Sequence, residues 1–353
     1  MTALPIYVNG RFCTQRVTGV QRFAREVTRA LQAHYGDRLH LLVPPGATDC
    51  PAGARQVGRL TGQLWEQAEL PRYCAGGVLV NLGNTAPLLG RRQLVVIHDA
   101  GVFSTPEAYS RKFRLWYKTL HRGLVLRGAR LVTVSPFSRG ELARTLKTEA
   151  GRIAVVTAGT DHMQRISEDP AVLAANGLGA ESYVLAVGTL AAHKNLAALG
   201  VLARRLRERG MVLAVTGSRG TTAFSPAEGG GLPADALYLG RVSDAALKAL
   251  FTHAAAYVLP SRYEGAGLPA IEAMACGCAV VAADIPALRE TCGTAAVFVP
   301  PLDPEAIAAA VLALLDAPAR RDHLRQAGAA RAAALTWAQT AGALAETIDA
   351  LGC

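Results

Sequence analysis

Several absences narrow the chemistry open to this chain. Its seven cysteines (13, 50, 74, 276, 278, 292 and 353) are odd in number, scattered and without a CxxC pair, which argues against a disulfide framework or a zinc site and for reduced core thiols. No apolar run reaches the roughly 18 residues that cross a bilayer. Met1–Gly10 has neither the basic start nor the cleavage site of a signal peptide, so a cytoplasmic location is expected. No DxD-type carboxylate pair or His/Cys cluster suggests a cation site. No G-x-G-x-x-G follows the first apolar run, which disfavours a dinucleotide-dependent dehydrogenase. Helix-turn-helix, zinc and aromatic RNA-binding signatures are missing, so a basic nucleic-acid-binding protein is the weaker reading of the charge and nucleic acid is not an expected partner. Internal repeats and low-complexity tracts are lacking as well.

What remains is a chain of 353 residues with 51% hydrophobic content, too long for one ordinary core and suited to two domains. The net charge of +10 is lopsided: residues 1–150 hold 21 Lys/Arg against 9 Asp/Glu, the rest 16 against 18. An anionic membrane surface is one candidate partner for that basic half, a merely solvated Arg-rich surface the alternative.

Short apolar runs alternate with helical stretches, the pattern of stacked βαβ units and parallel sheets. Strands are predicted at Pro5–Val8, Leu39–Val43, Val78–Leu82, Leu94–His98, Arg130–Val134 and Ile153–Val156. Helices are predicted at Gly19–Gln32, Arg111–Arg127 and Pro136–Lys147, the last with Ser135 as its cap. Gly159–Ala180, with Asp-Pro and Asn-Gly turn signals, reads as an interdomain linker. The series restarts at Tyr183–Val187, Val212–Thr216, Leu237–Leu239, Ala256–Leu259, Ala279–Val281 and Ala295–Val299. A glycine-rich stretch between Gly217 and Leu232 reads as a mobile loop. The tail, Asp303–Leu315, Ala319–Leu335 and Trp337–Leu351, reads as helical.

The densest signal is Ser261-Arg-Tyr-Glu-Gly-Ala-Gly-Leu-Pro-Ala-Ile-Glu272. A buried strand ends at Pro260, Gly265 and Gly267 free the backbone for close approach, and Pro269 suits a first helical turn. Unpaired N–H groups and the dipole at that turn favour a phosphate. Two carboxylates would repel a lone phosphate, so Glu264 and Glu272 read as acceptors for hydroxyl pairs on either side of a diphosphate, the signature of a sugar nucleotide. The plainer alternative makes Glu272 a helix charge and Glu264 a loop carboxylate.

Other motifs join this one: Thr18-Gly-Val-Gln-Arg-Phe23, Ile97-His-Asp99, Thr133-Val-Ser-Pro-Phe-Ser138, Val187-Gly-Thr-Leu-Ala-Ala-His-Lys-Asn195, Leu239-Gly-Arg-Val-Ser-Asp244, Asp303-Pro-Glu305 and Trp337. In their order and spacing the chain resembles the retaining GT-B glycosyltransferases of family 4 over nearly its whole length. The resemblance implies an α/β fold of two facing Rossmann-like domains, 1–165 for acceptor and 175–335 for the nucleotide sugar, with 336–353 crossing back to the first. It implies a metal-independent reaction without cofactor, in which Lys194 neutralises the donor diphosphate, Glu264 contacts the transferred sugar and Glu272 the ribose. His98 would lie against the donor sugar; its alternative is a strand-end histidine with Asp99 as orienting partner or helix cap. Gly19 would offer backbone to the diphosphate or to the acceptor, its alternative being a loop-to-helix glycine needed for chain geometry. Gly265, Ala266, Gly267 and Leu268 would offer backbone to the diphosphate, and Gly217, Ser218, Gly240 and Val242 would line the base pocket. Asp99, Arg111, Arg114 and Trp116 are the acceptor candidates, set in a basic, aromatic stretch that suits a membrane interface or lipid diphosphate, or else an ordinary amphipathic helix.

Two departures from the family stand out. The arginine that many relatives place a few residues before the lysine is missing from Gly188–His193, leaving Arg262, Arg219 or His193 as the second phosphate partner. Ala266 replaces the aromatic of an E-G-F-G turn. The expected reaction moves a hexose from a nucleotide diphosphate sugar, with GDP-mannose the leading donor, to a glycan or polyprenyl-diphosphate-linked acceptor in cell-surface polysaccharide synthesis. The alternative within enzymes is a GT-B epimerase or hydrolase, which needs no acceptor.

Overall fold

The computed structural model describes residues 4–218 and 231–352. Arg219 and most of the 217–232 segment lie outside the described residues. The chain divides into two compact units, one holding residues up to 103, 115–159 and those from 336 on, the other holding 104–114 and 160–335.

The first unit is built on a seven-stranded parallel sheet: β1 (Ile6–Asn9), β2 (Leu39–Val43), β3 (Ala54–Gln56), β4 (Val78–Asn81), β5 (Gln93–Val96), β6 (Arg130–Thr133) and β7 (Ile153–Val155), in the order β3-β2-β1-β4-β5-β6-β7. β4 and β5 are buried at every position, as expected of parallel strands covered on both faces. β3 was not foreseen, because its three residues are exposed, carry no apolar pattern and form the sheet edge. The Ser135 cap is present: its Oγ accepts from the Ser138 N–H at 3.0 Å ahead of the helix Pro136–Leu146. The final helix, Trp337–Gly352, belongs to this unit and packs on the helix Gly19–Tyr35. There Tyr35 Oη donates to Ala345 O and Asp349 Oδ1 at 3.2 and 3.0 Å, and Phe23 meets Trp337 edge-on at 5.7 Å.

The second unit carries a six-stranded parallel sheet, β8 (Tyr183–Val187), β9 (Val212–Thr216), β10 (Ala236–Gly240), β11 (Ala256–Leu259), β12 (Val280–Ala283) and β13 (Ala296–Val299), ordered β10-β9-β8-β11-β12-β13. Alternate residues of β8 and β11 feed two separate cores, Tyr183, Leu185, Tyr257 and Leu259 in one and Val184, Ala186 and Val258 in the other. That is the two-residue period of a pleated strand buried on both sides.

The stretch read as a linker is more ordered than a linker. It contains helical turns His162–Arg165 and Ala171–Ala175 and groups with the second unit from Thr160 onward. Thr160 N–H donates to Leu335 O at 2.9 Å and its hydroxyl to Ala332 O at 3.0 Å, tying the segment to the end of the helix Pro318–Ala333. Strand order reverses in each sheet, between β1 and β4 and between β8 and β11. In open α/β sheets ligands gather beyond the strand carboxyl ends at such reversals.

Candidate active site

In the second unit, the loops leaving β8 and β11 meet at the reversal. Asn195, in the left-handed conformation, staples them: its Nδ2 donates to Pro260 O at 3.0 Å and to Pro301 O at 2.6 Å. Arg262 adds two more stitches, from its N–H to His193 O at 2.8 Å and from its guanidinium to Ala192 O at 3.0 Å. The stem of Lys194 lies along Gly188, and its Nζ donates to Glu264 Oε1 at 2.7 Å. Burial would raise the Glu264 carboxyl, yet the Lys194 ammonium and its hydrogen bond hold it below the usual carboxylate range. The fold therefore brings Lys194 and Glu264, seventy residues apart, into one nearly buried ion pair. The hydroxyl of Thr189, the residue after Gly188, is buried and has no hydrogen-bond partner.

His193 next to this pair is neutral, its ring pushed down to about 4 by burial and then by the Lys194 charge. Tyr109 stacks on that ring at 6.3 Å and Phe113 stacks on Tyr109 at 5.6 Å. The segment carrying both, 104–114, groups with the second unit, and with it the acceptor candidates Arg111 and Arg114.

The turn 265–267 is shaped by its glycines and neighbours. Gly267 adopts φ 67°, and a Cβ there would strike Leu288. Ala266 O accepts from Thr291 Oγ1 at 2.6 Å. No side chain caps the helix Leu268–Ala275, so its first N–H groups are not taken by a capping residue. Glu272, inside that helix, is buried and accepts at Oε1 from His162 Nε2 at 3.1 Å. Gly217 ends β9 with φ 151°, and a Cβ there would sit 1.9 Å from Gly188 O, which excludes other residues. Its N–H donates to Gly240 O at 2.9 Å and its carbonyl accepts from Tyr238 Oη at 2.6 Å, so Gly217, Ser218 and Gly240 lie together at the ends of β9 and β10, with Val242 packed against the core just beyond.

The remaining candidates belong to the first unit. His98 is buried, edge-on to Phe23 at 4.9 Å, and its Nε2 lies 3.0 Å from Leu82 O. A carbonyl only accepts, so Nε2 carries the proton and Nδ1 is left as an acceptor. The ring is pushed down to about 4 by burial, against the effect of the Leu82 carbonyl, and is neutral. Leu82, not Asp99, orients it; Asp99 Oδ1 instead accepts from Gly101 N–H at 2.7 Å and caps the turn Gly101–Ser104. Gly19 opens the first long helix directly after Thr18. Trp116 is 36% exposed, whereas its neighbour Tyr117 is turned inward, its hydroxyl raised by burial beside Arg11, Glu66 and Asp99.

That inward turn leads to a network that no motif announced. At the β1/β4 reversal, Asn9 donates to Glu66 at 3.1 Å and to Asn81 at 2.9 Å, while Arg11 donates to Glu66 at 2.6 Å and to Thr85 at 2.7 Å. All five side chains are buried, and Glu66 lies in a single π-helical turn, Trp65–Glu69. The only trace in the sequence is polar Asn9 and Asn81 closing two apolar runs.

Comparisons with known proteins give the family and the fold. The model of the family "Glycosyl transferases group 1" matches residues 173–331, the segment that carries Lys194, Glu264 and Glu272. O-antigen chain mannosyltransferase B of Escherichia coli is 35% identical over 70% of this chain and 67% of its own length. O-antigen chain mannosyltransferase RfbU of Salmonella typhimurium is 29% identical over 64% of each. The matches thus span about two thirds of the length of these relatives. Among solved structures, sucrose-phosphate synthase from Thermosynechococcus elongatus superposes with a TM-score of 0.74 at 22% identity, covering 99% of both chains, and the two Rossmann-like sheets have the GT-B architecture. With family model, relatives and fold in agreement, the chain belongs to the glycosyl transferases group 1 family and is a glycosyltransferase.

Proposed function

We propose that the chain is a retaining, metal-independent mannosyltransferase that uses GDP-mannose and a glycan or polyprenyl-diphosphate-linked acceptor in O-antigen-type polysaccharide synthesis. The observation that carries the reading is the Lys194–Glu264 pair set over an uncapped helix turn at the β8/β11 reversal. Before donor arrives, the two charges neutralise each other. The diphosphate competes for Lys194, and Glu264 is then released to accept from hydroxyls of the transferred sugar. Glu272 takes the ribose. Gly265, Ala266, Gly267 and Leu268 bring backbone to the diphosphate, and Thr189, whose hydroxyl has no protein partner, is a further donor for it. Arg262 holds the Ala192–His193 turn with its backbone N–H and one guanidinium N–H, and its other guanidinium donors can serve as the second phosphate partner.

In the reaction the bond from the anomeric carbon to the diphosphate oxygen breaks, the acceptor oxygen bonds that carbon on the same face, and the acceptor proton passes to the departing phosphate oxygen. No protein nucleophile is needed. Lys194 and the helix N–H groups stabilise the charge that develops on the leaving group. In the first unit, the Nδ1 of neutral His98 is free to accept a hydrogen bond from a substrate hydroxyl. The names of the two O-antigen mannosyltransferase relatives favour mannose. Exposed Leu115 and Trp116 among basic neighbours on the helix Arg111–Leu126 favour a lipid-linked acceptor at an anionic, inner membrane surface. No helix among the described residues is long and apolar enough to cross a membrane.

The test combines nucleotide selectivity with one variant. In a thermal-shift screen of GDP, UDP, dTDP and ADP, GDP is expected to stabilise most. Lys194→Ala is expected to abolish that shift and to lower turnover by about a hundredfold or more while the protein still folds. Selective stabilisation by UDP would overturn the donor, and unchanged turnover in Lys194→Ala would overturn the phosphate role.

A further inference from the structure

We infer that His162 is a positioning residue for Glu272, holding one carboxylate oxygen so that the other faces the paired hydroxyls of the nucleotide ribose. The inference rests on the reading of Glu272 as the ribose-binding group. Oε1 of Glu272 accepts from His162 Nε2 at 3.1 Å, and no described residue donates to Oε2. Since a carboxylate only accepts, Nε2 of His162 carries the ring proton, and the neutral ring suffices as donor. Both side chains are withdrawn from water, with relative exposures of 3% for His162 and 10% for Glu272.

A buried carboxylate with one hydrogen bond is short of partners. Each of its oxygens can accept two, and leaving them unmet in a dry site is costly unless a ligand supplies donors. A vicinal diol offers two hydroxyl donors at the spacing of such a group. Its geometry must be set beforehand, because an unheld glutamate has three rotatable bonds to freeze when the ligand arrives.

The histidine is itself fixed from behind. Thr160, two residues earlier, is bonded twice to the end of the helix Pro318–Ala333, through Leu335 O and Ala332 O. Met163, one residue later, donates to Thr160 O at 2.9 Å and is buried in the same core cluster as Ile271 and Met274 of the glutamate's helix. The ring therefore has backbone and core support on both sides. It can impose a rotamer on Glu272 rather than follow one.

The experiment compares a diol with its absence. GDP and 2′,3′-dideoxy-GDP are titrated calorimetrically into the full chain and its variants, with UDP and 2′,3′-dideoxy-UDP as a second pair. The unsubstituted protein is expected to prefer the diol. His162→Phe, which keeps a ring but no donor, is expected to cut that preference by roughly threefold to tenfold while binding of the dideoxy nucleotide stays within about twofold. His162→Gln, whose amide reaches the same position, is expected to restore most of the preference. His162→Asn, whose amide donors stop short of the Nε2 position, serves as the variant without this bond should phenylalanine not fold. A histidine with a merely structural role would lower the melting temperature and weaken both nucleotides alike; an unchanged ratio in His162→Phe and His162→Asn overturns the inference. Indifference to the diol in the unsubstituted protein, repeated in Glu272→Gln, would instead overturn the ribose reading of Glu272, and this inference with it.

Discussion

His98, His121 and His193 share an environment that burial makes hostile to charge, and each is pushed down to about 4. Two of them grip the loop after β4, His98 through Leu82 O at 3.0 Å and His121 through Asn84 O at 2.8 Å. An unfolded histidine titrates near 6.5, so between about 6.5 and 4 the unfolded chain binds more protons than the folded one. Stability is therefore complete above that window and falls as pH drops through it, by at most about 1.4 kcal/mol per pH unit for each histidine. Melting temperature followed from pH 7 to 4 should show this decline, and His121→Gln should flatten it; a flat profile in the unsubstituted protein would contradict the burial of these rings. Single residues also show what sequence can and cannot disclose. Lys194 and Glu264 were recognisable because each sits in a local motif. His162 was not: its partner is 110 residues away, and the stretch around it, rich in turn signals, reads as a linker.

At the level of elements, most of the fold was legible because parallel strands are short apolar runs, and twelve of the thirteen strands among the described residues need only the pattern and a turn to be seen. The exceptions have physical reasons. β3 is an exposed edge strand stabilised by pairing to β2, not by any pattern of its own. The π-helical turn at Trp65–Glu69 is imposed by the buried network that takes Glu66, and by Trp65, whose Nε1 donates to Val57 O at 2.8 Å. The final helix could be predicted as a helix, but its seat on Gly19–Tyr35 depends on long-range contacts. That seat is strong: Trp337, Leu344 and Ile348 are fully covered. Trp337→Ala should cost about 3–5 kcal/mol, read as a lower midpoint in urea unfolding; a change below about 1 kcal/mol would mean the helix is not part of the first unit's cooperative core.

For the whole molecule, the reaction chemistry makes one prediction. Positive charge for the leaving diphosphate is proposed to come from Lys194 and helix N–H groups, so transfer activity should survive exhaustive dialysis against EDTA. Activity lost on dialysis and restored by magnesium would overturn a metal-independent reaction. The two-unit organisation was readable from the restarting strand series, but not the assignment of 104–114 to the second unit, which follows from side-chain packing such as Tyr109 on His193. The hydrogen bond from Thr160 to Leu335 carries a further consequence. Because the chain enters and leaves the stretch 160–335 at neighbouring points, that stretch is topologically a cassette inserted into the first unit, and cassettes with adjacent ends can be exchanged between hosts. Two cuts, at 159/160 and 335/336, would therefore move the stretch that carries Lys194, Glu264 and Glu272 but leave 104–114 behind, so that the host's Tyr109 would have to meet a foreign His193.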